Sequence, residues 1–68
     1  MTDWNDKEQV IQAVSGNGFD LQYASDELKA DRGIVLAAVQ DYGPALEYAS
    51  KELRADREIV RILKARIP

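Results

Sequence analysis

Leu21-Gln22-Tyr23-Ala24-Ser25-Asp26-Glu27-Leu28 returns 25 residues later as Leu46-Glu47-Tyr48-Ala49-Ser50-Lys51-Glu52-Leu53. Extending the match outward without gaps pairs residues 6–30 with residues 31–55, and twelve of those 25 positions are identical. The identities run through Asp6/Asp31, Val10/Val35, Ala13/Ala38, Val14/Val39 and Gly18/Gly43 before reaching the quoted core. Conservative pairs such as Lys7/Arg32, Ile11/Leu36 and Lys29/Arg54 fill several of the gaps. A third, shortened copy starts at Asp56 and continues through Arg57, Ile59 and Val60. Unrelated segments do not agree this often without gaps, so the sequence predicts a repeat architecture.

Each copy reads as helical. Asp6, Asp31 and Asp56 stand directly before apolar-periodic stretches, where an Asp side chain accepts hydrogen bonds from the unpaired first-turn N–H groups. Gln9 makes a capping-box-like pair with Asp6. Gly18 and Gly43 fall where a helix commonly ends on a left-handed residue, which glycine adopts most cheaply. Pro44 suits the first turn of a new short helix, and Ser25 and Ser50 suit caps for single turns over 26–29 and 51–54. Val and Ile recur at helical rather than alternating spacing. The expected fold is all-α: a small stack of about two and a half 25-residue repeats, each a three-turn helix followed by short helical turns. One domain spans 1–68, divided into repeat 1 (6–30), repeat 2 (31–55) and a truncated capping repeat (56–68).

The departures from the repeat predict how the copies stack. On a wheel of ~100° per residue, counted from each capping Asp, offsets four and seven are apolar in all three copies. One flank carries Gln9 and Gln12, then Ile34 and Ala37, then Ile59 and Ile62. The other carries Ile11 and Val14, then Leu36 and Val39, then Arg61 and Lys64. The first helix is thus polar on one flank, the last on the opposite flank, and the middle one on neither. Terminal repeats need a polar outer face. Helix 32–42 is therefore expected between helices 7–17 and 57–66. Glu8, Ser15, Gly33, Gln40, Glu58 and Ala65 should face water, and Trp4 should pack over the first helix as an N-terminal plug. Pro68 falls at the position of Gly18 and Gly43.

The string Asp-x-x-x-Val…Ala-Val…Gly-x-x-Leu-x-Tyr-Ala-Ser-x-Glu-Leu-x-Ala-Asp resembles DUF4116, a short helical repeat found in tandem. The resemblance covers Asp6 to about Ala65, and its most specific part is the Leu-x-Tyr-Ala-Ser-x-Glu-Leu core. It implies an all-helical repeat with no assigned activity, so it carries over no catalytic residues. The chain departs from the pattern in holding two full copies, and in Gly33 and Pro44, where freer helix formers are expected.

Composition limits the chemistry. The 68 residues are 46% hydrophobic and 31% charged, with net charge −3 and neither Cys nor His. Disulfides, thiolate metal sites, the usual zinc ligand and the usual general base are all excluded. A pI near 4.7 speaks against nucleic-acid binding, no apolar run approaches a membrane span, and the acidic start at Met1–Asp6 lacks a signal-peptide pattern. The expectation is a cytoplasmic protein without cofactor, metal or catalytic residues. Ser25 and Ser50 have no histidine to activate them, and capping accounts for both. Asp26-Glu27 lacks the alternating oxygens and turn glycine of a calcium loop.

Interaction surfaces are what remain. Tyr23 and Tyr48 repeat, as packing residues would; Tyr42 and Trp4 do not, which suits them to a specific contact. Residues 1–31 carry a balance of −5 and residues 32–68 a balance of +2, with Arg57, Arg61 and Lys64 making the last helix basic. The candidate surface is therefore Trp4, Tyr23, Tyr42, Tyr48, Arg57, Arg61 and Lys64. The function expected is a non-enzymatic protein–protein interaction module with an unidentified protein partner, and its charged ends allow self-association. The alternative is a small acidic inhibitor that occupies a basic surface on a nucleic-acid-binding partner, through Asp3, Asp6, Glu8 and Asp20.

Overall fold

Three aspartates set the frame. In the computed structural model, which describes residues 2–66, the Oδ1 atoms of Asp6, Asp31 and Asp56 each accept from the N–H groups two and three residues on. The distances are 3.0 and 3.3 Å at Asp6, and 2.9 and 3.3 Å at both Asp31 and Asp56. They satisfy donors that would otherwise lack partners and start helices α1 (Lys7–Gly16), α3 (Arg32–Asp41) and α5 (Arg57–Arg66). Gln9 does not close a capping box on Asp6. Its Oε1 accepts from the Asp3 N–H at 2.9 Å, while the Asp6 N–H donates to the Asp3 carbonyl.

The glycines do something other than the sequence suggests. α1 and α3 stop one residue short of the expected 7–17 and 32–42, at caps Asn17 and Tyr42 with extended φ of −154° and −142°. No described glycine has a positive φ. Gly18 and Gly43 instead open two 3₁₀ helices, Gly18–Tyr23 and Gly43–Tyr48. Gly18 is held to glycine by a close neighbour, since a Cβ there would lie 2.2 Å from the Ala38 carbonyl oxygen, whereas one on Gly43 would meet only the end of the Leu63 side chain, 2.9 Å from Cδ2. Asn17 caps the first 3₁₀ helix by accepting from the Phe19 N–H at 3.2 Å. Tyr42 offers no such oxygen, and Pro44, at the position of Phe19, has no N–H to satisfy.

Ser25 and Ser50 then cap α2 (Asp26–Lys29) and α4 (Lys51–Arg54), their hydroxyls accepting from Leu28 and Leu53 N–H groups at 3.4 Å. The Ser25 N–H donates to the Trp4 carbonyl and the Ser50 N–H to the Lys29 carbonyl, both at 2.9 Å. Trp4 thus holds the repeat position of Lys29, and the turn Asp3–Asn5 stands in for the end of α2 one unit earlier. α1, the first 3₁₀ helix, α2 and α3 each recur 25 residues downstream, as α3, the second 3₁₀ helix, α4 and α5.

The fold is all-α among the described residues. α3 lies between α1 and α5, with the two 3₁₀ helices packed on one another and on α3 as a second layer. Val10, Val14, Leu21, Ile34, Val35, Ala38, Val39, Ala45 and Ile59 are completely buried between the layers, with Ala24, Leu28 and Ala49 nearly so. The middle helix contributes four of these, and no charged or polar side chain is buried among the described residues. Glu8, Ser15, Gly33, Gln40, Glu58 and Ala65 are all exposed, as the wheel predicts. The flank residues Gln9, Gln12, Arg61 and Lys64 are exposed as well, so both outer flanks face solvent. The principal extents are 36 × 22 × 15 Å. Pro68 lies outside the described residues.

Candidate functional site

The structure sorts the candidate residues into two groups with no member in common. The first is aromatic: Tyr23 and Tyr48 end the two 3₁₀ helices, Tyr42 caps α3 and Trp4 stands in the N-terminal turn. Trp4, half-buried against the core, rests on Tyr23 with ring centroids 5.4 Å apart and planes tilted by 48°. Its ring meets the first 3₁₀ helix through Tyr23, and its carbonyl also holds Ser25. Phe19, which the candidate set lacks, joins the other two tyrosines: its ring centroid is 6.1 Å from Tyr42 and 5.7 Å from Tyr48, both edge-on. Edge-to-face geometry places positive ring edges against negative faces and fixes the rings relative to each other.

Exposure separates residues that the sequence treats as equivalent. Tyr23 is 55% exposed, whereas Tyr48, at the same repeat position, is half-buried edge-on to Phe19. Phe19 and Tyr42 are 43% and 40% exposed. Tyr48 is therefore a packing residue, and Phe19, Tyr23 and Tyr42 form the solvent-facing part. The signal for Phe19 is the one that marks Tyr42: an aromatic whose counterpart in the other copy, Pro44, is not one.

The second group is cationic. Arg57, Arg61 and Lys64 are exposed on α5 and, with Ala55 and Val60, line an open groove of about 420 Å³. Val60 is only half-buried, although Val10 and Val35 at the same position are fully enclosed. No 3₁₀ helix follows α5 among the described residues, as one follows α1 and α3.

Ion pairs cross between neighbouring repeats. Lys7 Nζ lies 3.1 Å from Asp31 Oδ2, and Arg32 Nη1 lies 2.5 Å from Asp56 Oδ2, while Arg32 Nη2 also holds Glu58 Oε2. Burial pushes the Asp31 carboxyl up, but Lys7 and the Ile34 and Gly33 N–H groups outweigh it and hold the carboxyl below its ordinary 3.8. The sequence signal for these pairs is a base directly after each capping Asp, at Lys7, Arg32 and Arg57. Ser25 and Ser50 are engaged as caps, and no group of three or more acidic side chains suited to a metal ion occurs among the described residues. No helix among them is long and apolar enough to cross a membrane.

Short helical elements spaced 25 residues apart and packed through apolar side chains make an all-α fold among the described residues. The chain belongs to the family described as Domain of unknown function (DUF4116), whose model matches residues 6–54 and 31–63. The two matches begin one 25-residue unit apart, at the first and second capping aspartates. No curated protein and no solved structure matches the chain.

Proposed function

We propose that this protein is a non-enzymatic interaction module that binds a protein partner through its exposed aromatic face. The observation that carries this reading is the exposure of Phe19, Tyr23 and Tyr42, at 43, 55 and 40%. Large rings left in water while smaller side chains fill the core are what interface centres use. The pairwise ring packing supports the same reading, because rings already held in place lose little freedom on binding. A cysteine-free chain suits a reducing, cytoplasmic setting.

Affinity capture from native extract tests this with three baits: the natural chain, Tyr23→Ser with Tyr42→Ser, and Lys64→Glu. The expected result is a set of proteins retained by the natural chain and by Lys64→Glu. The double tyrosine variant should weaken that capture by about thirtyfold, the loss typical of a central aromatic contact. Equal capture by all three baits, each shown by circular dichroism to keep its helices, would discard the aromatic face. Loss with Lys64→Glu alone would move the interface to α5.

A further inference from the structure

The three aspartate caps share one arrangement, and among the described residues it leaves Asp6 and Arg57 without the partners their counterparts have. Asp31 and Asp56 use Oδ1 for the helix N–H groups and turn Oδ2 toward a cation one repeat upstream. Asp6 uses Oδ1 in the same way, but among the described residues no cation meets its carboxylate. At the other end, Arg57 holds the position of Lys7 and Arg32, and no carboxylate meets it among the described residues. The head presents Asp6 and Glu8 at the spacing of Asp56 and Glu58, the pair that Arg32 grips. The tail presents Arg57 at the position of Arg32.

We propose that a second copy of this chain docks head to tail on α5, the Arg57 guanidinium of one copy gripping Asp6 and Glu8 of the next. The joint continues the internal 25-residue register. The turn Asp3–Asn5 of the incoming copy already has the shape required, since the Asp6 N–H bonds to Asp3 as the Asp31 and Asp56 N–H groups bond to Leu28 and Leu53. In that register Arg61 and Lys64 face Gln9 and Gln12. The overall charge agrees: the half that arrives carries −5 and the half that receives it +2. The groove lined by Arg57, Val60 and Arg61 lies on the receiving side.

The flanks that meet are polar and no 3₁₀ helix follows α5 among the described residues, so charge holds the joint and salt opens it. The contact pairs two different surfaces, so it leaves a free head and a free tail and adds further copies rather than closing as a dimer. It uses none of the exposed aromatic rings and therefore stands or falls apart from the partner-binding reading.

Sedimentation velocity on the full chain tests the proposal, with one variant for each end. Arg57→Glu removes the tail; Asp6→Asn with Glu8→Gln removes the head while leaving an asparagine to cap α1. The natural chain should form dimers and longer species as concentration rises in about 0.05 M salt, and association should weaken at least about tenfold in about 0.5 M salt. Each variant alone should weaken it at least about tenfold as well. An equimolar mixture of the two should recover association and stop at the dimer, because one intact head meets one intact tail. A natural chain that stays monomeric at millimolar concentration in low salt overturns the proposal. So does association that survives in both variants, or a mixture that remains monomeric. Should circular dichroism show either variant unfolded, Arg57→Gln and Glu8→Gln replace them under the same criteria.

Discussion

The two internal joints of the stack are built from nearly the same residues and pack differently. Where the first repeat meets the second, Val10, Val14 and Leu21 are completely buried, Leu28 is nearly so, and α1 packs extensively on α3. Where the second meets the third, Leu46 and Leu53, at the positions of Leu21 and Leu28, are only half-buried, although Val35 and Val39, at those of Val10 and Val14, stay completely buried, and α3 packs on α5 much less. The first joint is also tied by the Gly18 N–H, which donates to Asp41 Oδ2 at 2.8 Å. The corresponding position 66 holds an arginine, which can only donate. A repeat's core is thus completed by its neighbour, and identical residues differ in value according to the unit that packs against them.

Truncating the same leucine at each joint gives the largest expected contrast. Leu21→Ala empties a site sealed on all sides and should cost about 3 kcal/mol, a large share of the stability of so short a chain. Leu46→Ala removes the same atoms from a half-buried site, where solvent relieves part of the cavity, and should cost about half as much. Urea unfolding followed by circular dichroism measures both. Equal losses would mean that the joints are equivalent in solution.

The glycines sharpen the contrast at the next level. Gly18→Ala drives a methyl group toward the Ala38 carbonyl oxygen, which belongs to the α3 backbone and cannot step aside, so about 2 kcal/mol should be lost. Gly43→Ala meets only the end of the Leu63 side chain, which can change rotamer. Its cost should stay below about 1 kcal/mol. Thermal unfolding would rank the pair, and a Gly43 variant less stable than the Gly18 variant would contradict the tighter first joint.

Local relations were legible in the sequence, and distant ones were not. The aspartate and serine caps were readable because donor and acceptor lie two or three residues apart. The enclosed middle helix was readable because Ile34, Leu36 and Val39 stand where Gln9, Arg61 and Lys64 stand in the outer copies. The role of Gly18 and Gly43 was not, since a glycine that permits close approach looks the same as one that permits a left-handed turn. Only the distance to a neighbour 20 residues away separates them, and that distance belongs to the packed state. The ion pairs were hidden for the same reason, with Lys7 and Asp31 joined 24 residues apart. Among the exposed rings, Tyr42 was set apart because its counterpart Asn17 is not aromatic, whereas Tyr23 repeats as a packing residue would and is nonetheless exposed. Phe19 was not legible, and the repeat itself concealed that Tyr48 is half-buried edge-on to that ring while Tyr23, packed on Trp4, stays exposed.

The smallest expected effect concerns the charge that ties the first joint together. Asp31→Asn keeps a capping oxygen for the Gly33 and Ile34 N–H groups but removes the partner of Lys7. Lys7 is largely exposed, so the pair should contribute only a few tenths of a kcal/mol to about 1 kcal/mol at neutral pH. The sign of its pH dependence is fixed, because the folded carboxyl ionises more readily than its ordinary value of 3.8. A depressed folded pKa stabilises the native state above the unfolded pKa, and that stability disappears as pH falls through the folded value. The natural chain should therefore exceed Asp31→Asn in unfolding free energy by a constant margin from pH 7 to about 5, and the margin should close below about pH 4. Added salt should narrow the neutral-pH margin, because the pair lies within reach of mobile ions. A margin that persists unchanged into strong acid would show that Asp31 ties the first joint by its hydrogen bonds alone, leaving its charge without a role there.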